Sequence, residues 1–259
     1  MKPPAFDYVR PESVEEALAE LARGGEDAKP LAGGQSLVPL LNMRLARPTL
    51  LVDVNRVSGL DDVLRQNGSM RVGATVRQAQ LPGLPLVREA LPHVGHAATR
   101  NRGTVGGSIA HADPSGELGV CLVALGGSVV VEGPHGRREI AAEDFVTGTY
   151  ATALEPGELV VETVWPAHEG GCAFEELALR HGDFALAMCA VVAAGDELRV
   201  ALGSVVDRPT LVVCPPDADE AAELAAAAAD PVETMHATAG YRRHATRVLV
   251  RRAAGRALA

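Results

Sequence analysis

Ala32-Gly33-Gly34-Gln35-Ser36-Leu37 and Thr104-Val105-Gly106-Gly107-Ser108-Ile109 share one pattern, adjacent glycines flanked by small hydroxyl or amide residues. Glycine permits positive φ and close backbone approach. Successive N–H groups in such turns form a concave nest that accepts an anion. The first segment runs into a helix opening at Leu37, whose N-terminal dipole would add partial positive charge. Two readings stand side by side: glycines placed for tight turns, or two loops from different units gripping a diphosphate ester from both sides. Neither segment is G-x-G-x-x-G or G-x-x-x-x-G-K-S/T, which disfavours Rossmann and P-loop sites.

Upstream of the first bend, Ser13-Val-Glu-Glu16 forms a capping box, and Val14, Leu18 and Leu21 recur at helical spacing until Gly24-Gly25. Helical spacing from Leu37 to Leu45 and a strand at Leu50-Leu-Val-Asp53 complete a compact α/β unit over 1–56. The second unit spans 57–167. It has a strand at Met70–Gly73, a proline-punctuated helix at Leu81–Ala90 and an apolar helix at Leu118–Leu125. A hairpin turns around Gly133-Pro-His-Gly136, and a strand follows at Glu158–Trp165. In 168–259, strand-like runs at Ala173–Leu179, Ala185–Ala193 and Leu198–Val206 precede helices at Asp217–Ala229 and Tyr241–Leu258. Strands followed by helices predict a small α+β unit with a three-stranded antiparallel sheet.

The 259 residues carry 24 Lys+Arg against 33 Asp+Glu, a net charge of −9 that argues against a nucleic-acid-binding surface. At 47% apolar and 22% charged, the composition is that of a folded chain. No apolar run is long enough to cross a bilayer, so an integral membrane protein is not expected. The N-terminus lacks the apolar core of a secretory signal, so the cytoplasm is the expected compartment. The cysteines at 121, 172, 189 and 214 form no C-x-x-C pair and read as core thiols. His93-x-x-His96 has no third ligand at suitable spacing, and no serine sits in a G-x-S-x-G elbow. After the second bend, Asp113 reads as a cap for the helix that follows, with Pro114 at its first position, or as an acceptor for ribose hydroxyls together with Glu117. The arginines of the C-terminal helix read as solvated or at a subunit contact.

AGGQSLVPLLNMRLARPTLLVDVNR (32–56), NRGTVGGSIAHADPSGE (101–117), RHGDFALA (180–187) and YRRHATRVLVRRA (241–253) resemble, in order, the FAD-binding (medium) subunits of the aerobic carbon monoxide dehydrogenase and xanthine dehydrogenase family of molybdenum hydroxylases. The resemblance implies an α+β, vanillyl-alcohol-oxidase-type (PCMH) fold, with two subdomains around an extended FAD and a small C-terminal domain. It places Ala32, Gly33, Gly34, Gln35, Ser36 and Leu37, with Thr104, Val105, Gly106, Gly107 and Ser108, around the FAD diphosphate and towards the flavin. Glu117 and Asp113 would lie near the ribose, and Val160 would make an apolar backbone contact. Some relatives carry a lysine near the flavin around Glu175 and Glu176, where this chain has carboxylates.

The implied partners are a large molybdenum-cofactor subunit that oxidises the substrate and a small subunit with two-iron, two-sulfur clusters, as a dimer of heterotrimers. Clusters held by four cysteines find no ligand set in this chain. The expected function is electron transfer from those clusters through FAD to an external acceptor, with no catalytic acid, base or metal on this chain. A stand-alone flavin oxidoreductase and a cofactor-less binding module of the same fold are the alternatives.

Overall fold

A computed structural model describes residues 1–81 and 83–259. The run Leu50–Asp53, buried at its first three positions, is the centre of a three-stranded parallel sheet between Asp7–Val9 and Ala28–Leu31. Continuous apolar character is what a strand covered on both faces requires. The helix Val14–Gly24 packs against this sheet through Ala17 and Leu21. Its capping box forms as expected at Ser13, whose Oγ accepts from the Glu16 amide at 3.1 Å. Glu16 reaches back one residue further than the motif implies, to the Glu12 amide at 2.9 Å.

The second sheet is antiparallel, in the order Val63–Gln66, Ser69–Gly73, Leu159–Pro166, Ser128–Gly133, Gly136–Ala141. Its two faces bury different partners. Val130, Leu159, Val161 and Val164 pack with Leu50, Val52 and Leu21 of the first unit. Val129, Val131, Val160 and Trp165 turn the other way, onto the helices Val105–His111 and Glu117–Ala124. Each fully buried aliphatic side chain here contributes about 1.5–3 kcal/mol by leaving water. Trp165 is wholly buried, and its indole N–H is satisfied by the Thr163 hydroxyl at 2.8 Å. The five-stranded sheet therefore bonds the two units into one body, with the glycine bends at the junction.

The third sheet is an antiparallel meander of four strands, Cys172–Ala178, Ala185–Ala194, Glu197–Gly203 and Thr210–Cys214. The last was not expected: the sequence suggested three. Helices Ala218–Ala228 and Ala239–Ala257 cover one face, and runs of buried alanine let them approach closely. The other face shares a core with the second unit through Phe174, Met188, Ala190 and Val192.

Of the C-terminal arginines, Arg251, Arg252 and Arg256 are exposed, whereas Arg242 is buried. Arg242 is 7% exposed, and its guanidinium donates to the carbonyls of Leu186 (2.9 Å), Val232 (2.6 Å) and Ser204. Arg247 pairs with Glu223 at 2.7 Å and Arg251 with Asp219 at 2.5 Å. Arg256 ties the helix to Glu89 and Glu175 at 2.6 and 3.0 Å. Arg242→Met keeps the aliphatic bulk but removes the donors to three carbonyls, that of Ser204 buried, which should cost about 3 kcal/mol in urea denaturation of the full chain. A loss below about 1 kcal/mol would contradict this role for Arg242.

Candidate functional site

The first bend leaves the strand Ala28–Leu31 and enters the short helix Leu37–Asn42. Gly34 turns the chain at φ +72°, a region glycine occupies without the Cβ penalty. Gln35 and Ser36 are exposed; Ala32, Gly34 and Leu37 are half-buried. The amides of Gly34, Gln35, Ser36 and Leu37 find no acceptor among the described residues. A row of unspent donors on a turn is what an anion-binding nest would require. Gly33 serves packing instead. It is buried, and a Cβ there would lie 2.3 Å from the Arg102 carbonyl oxygen.

The second bend differs from its expectation. Thr104 is an N-cap, its Oγ accepting from the Gly107 amide at 3.1 Å, and Val105–His111 is helical. Its donors are engaged save the Thr104 amide, which has no acceptor among the described residues. The Val105 amide binds the Val76 carbonyl (2.9 Å), Gly106 that of Ala74 (3.0 Å) and Ser108 that of Thr104 (3.0 Å). Thr104 and Val105 are buried, while Gly107 and Ser108 stay half-buried. Ser108 lines a small apolar crevice with Asp113, Gly116, Phe145 and Pro209. The first bend therefore offers a row of free amides, and the second, apart from the Thr104 amide, a helical wall.

The bends face each other across a close contact. A Cβ on Gly107 would sit 3.5 Å from that of Ala32, and Gly33 abuts Arg102 and Gly103. Side chains absent from the sequence-based site bridge them. Asn55 Nδ2 donates to the Ala32 carbonyl at 2.8 Å, its Oδ1 accepts from Arg77 at 2.8 Å, and Arg77 donates to the Arg102 carbonyl at 2.6 Å. Asp53, held by Tyr8, accepts from the Asn55 amide at 2.9 Å. The only signal for these groups in the sequence was a polar pair, Asp53 and Asn55, at the end of an apolar strand.

Asp113 does not cap the helix Glu117–Ala124, whose N-cap is Gly116 with no side-chain bond. Its carboxylate accepts from the Ser115 amide at 2.8 Å and from the Tyr150 hydroxyl at 3.2 Å, so both oxygens are occupied within the chain. Glu117, in the first turn of that helix, is the freer acid. Burial, with the nearby Asp113 charge, pushes its carboxyl up to about 7. Glu176 on the strand Cys172–Ala178 has a side chain only 2% exposed, with Oε1 3.6 Å from His93 Nδ1 and Oε2 without a hydrogen-bond partner. Burial first, and the Glu117 charge second, push it up to about 8. Glu175, by contrast, forms an ion pair with Arg256 at 3.0 Å. Val160 is buried on the central strand of the second sheet.

These residues fit FAD. The unpaired amides of Gly34 to Leu37 suit the diphosphate, which carries only acceptors, and Glu117 can accept from or donate to a sugar hydroxyl. Fold and comparison define the class: this is an FAD-binding α+β protein, since residues 4–168 match the FAD binding domain in molybdopterin dehydrogenase. The chain belongs to that family, and its cofactor is FAD. It is 40% identical to the 6-hydroxypseudooxynicotine dehydrogenase complex subunit alpha of Paenarthrobacter nicotinovorans, covering 100% of this chain and 96% of that one. It superposes on reconstituted CO dehydrogenase from Oligotropha carboxidovorans with a TM-score of 0.94 at 34% identity, over 100% and 99% of the two chains. For quinoline 2-oxidoreductase from Pseudomonas putida 86 the TM-score is 0.90 at 36% identity, over 100% and 98%. The vanillyl-alcohol-oxidase-type fold expected from the sequence is the fold of the chain, and the relatives are FAD-bearing subunits of molybdenum hydroxylase complexes.

The two buried acids set a pH dependence. Carboxyls whose folded-state pKa is raised favour the folded chain fully below the unfolded value of about 4.3. That advantage is lost as pH climbs towards about 7 for Glu117 and about 8 for Glu176. Thermal unfolding of the full chain should therefore fall in midpoint between pH 5 and 8.5, and Glu176→Gln should flatten the decline. An unchanged slope in that variant would contradict the buried-acid assignment.

Proposed function

We propose that this chain is the electron-transfer subunit of a heteromeric molybdenum hydroxylase. It takes electrons from the two-iron, two-sulfur clusters of a small partner subunit and delivers them to an external acceptor, while a large molybdenum-cofactor subunit oxidises the substrate. Bound FAD supplies the redox chemistry, exchanging electrons singly or in pairs. The chain's residues bind and orient. Gly34, Gln35, Ser36 and Leu37 hold the diphosphate through their amides, with Ala32 and Gly33 shaping that turn. Thr104, Val105, Gly106, Gly107 and Ser108 form the opposing wall, and Glu117 serves a sugar hydroxyl, with Asp113 as a lesser contact. The units bounded at 56 and 167 act as two FAD subdomains and a C-terminal domain, in a cytoplasmic dimer of heterotrimers.

The observation that carries this reading is the row of unpaired amides at the contact between the two bends, in a chain that matches its relatives from end to end. The thiols support it. Cys121, Cys189 and Cys214 are buried, and burial raises their pKa, which suits packing rather than cluster ligation. The FAD-loaded full chain should lose its flavin absorbance when mixed with a reduced iron–sulfur partner subunit, and keep it with aldehydes, purines or N-heterocycles alone. Rapid bleaching by one of those small molecules without a partner would overturn the electron-transfer reading in favour of a self-contained oxidoreductase.

A further inference from the structure

Asn55 and Arg77 lie outside both glycine segments, yet their side chains bond to each other and to carbonyls in or beside those segments. Asn55 follows the central strand of the first sheet. Its Nδ2 reaches the carbonyls of Ala32 (2.8 Å) and Leu31 (3.3 Å) and the Asp53 carboxylate (2.6 Å). Two N–H bonds are thus shared among three acceptors, and the side-chain oxygen is left for Arg77. Arg77 belongs to the second unit. Its backbone pairs antiparallel with Thr104, and the neighbouring Gln78 amide binds the Gly103 carbonyl at 2.9 Å. From that base its planar head spans the junction, one nitrogen on Asn55 and one on the Arg102 carbonyl.

Arginine usually spends its donors on carboxylates or phosphates. Here a half-buried guanidinium bonds an amide and a main-chain carbonyl, and burial, then the adjacent Arg102 charge, lower its proton affinity. The arrangement is costly for Arg77 but has a consequence for the bends. Both carbonyls it reaches, directly and through Asn55, belong to residues at the bend contact. The Arg102 oxygen is the atom that a Cβ on Gly33 would strike. With the Ala32 carbonyl drawn back towards Asn55, the peptide units that follow it are fixed at their start, and the amides of Gly34 to Leu37 are left without partners among the described residues on a turn whose Gln35 and Ser36 are exposed.

We propose that Asn55 and Arg77 are positioning residues for FAD: a hydrogen-bonded strut between the two lobes that locks the first bend against the second and preorganises its amides for the diphosphate. This rests on the reading that those amides hold the diphosphate. A fixed fork is required, since a lysine has no planar pair of donors to span Asn55 and the Arg102 carbonyl.

The test measures FAD affinity by quenching of flavin fluorescence on the full chain, with the melting temperature of the FAD-free chain recorded in parallel. Asn55→Asp keeps the side-chain volume and an acceptor for Arg77 but removes the donor to Ala32 and Leu31. Arg77→Lys keeps the charge but not the fork. Both should weaken FAD at least tenfold in chains that remain folded. Affinities within twofold of the parent in either folded variant would overturn the strut, whatever happens to the melting temperature. Should Arg77→Lys not fold, the Asn55→Asp affinity alone decides. Ser36→Asp separates the underlying reading, because it sets a carboxylate among the free amides at an exposed position. If it leaves FAD affinity unchanged, the diphosphate lies elsewhere and the strut proposal falls with it. If it weakens FAD while the strut variants do not, only the strut is wrong.

Discussion

The contact between the Arg102 carbonyl and Gly33 is the constraint on which the rest of the molecule turns. Two lobes meet there at backbone distance, and no residue with a Cβ could occupy position 33 without displacing a main-chain atom. Everything around it reinforces that approach. The Ala74–Gln78 segment bonds the second bend through backbone amides and carbonyls, and Asn55 and Arg77 bond the first bend to the second. Beneath them, the five-stranded sheet seals the lobes by burying valines of one unit against leucines of the other.

That close approach explains a division of labour between two segments that look alike as sequence. The second bend spends all but one of its amides on its own lobe, while the first leaves a row of amides unspent and is the proposed binding surface. A dinucleotide site at the junction of two lobes needs both roles. Donors must be oriented before the ligand arrives, or binding must bear the cost of ordering them. The C-terminal meander adds a different element. It shares a core with the second lobe and brings the buried acid Glu176 within electrostatic reach of Glu117, whose charge helps to raise the Glu176 carboxyl.

Much of this was legible from sequence where the signal was local. Ser13 to Glu16 announced a helix start, Leu50 to Asp53 a buried strand, and the paired glycines a close backbone approach. The family resemblance supplied the fold and the cofactor. What escaped depends on tertiary context. Val105–His111 contains two adjacent glycines, poor helix formers, and is helical because Thr104 caps it and residues 74–76 grip its first turn. Thr210–Cys214 is a half-exposed edge strand between prolines, with little alternation to mark it. Asp113 looked like a cap, but Tyr150 and the Ser115 amide hold it in a turn of its own. Asn55 and Arg77 could not be found at all, because their importance lies in carbonyls more than twenty residues away.

Amide hydrogen exchange, resolved by residue in the full chain with and without FAD, addresses the central claim most directly. The account predicts that the amides of Gly34, Gln35, Ser36 and Leu37 exchange quickly without FAD and become strongly protected with it, while Val105, Gly106 and Ser108 are slow in both states. New protection confined to the second bend, with the first bend unchanged, would contradict it.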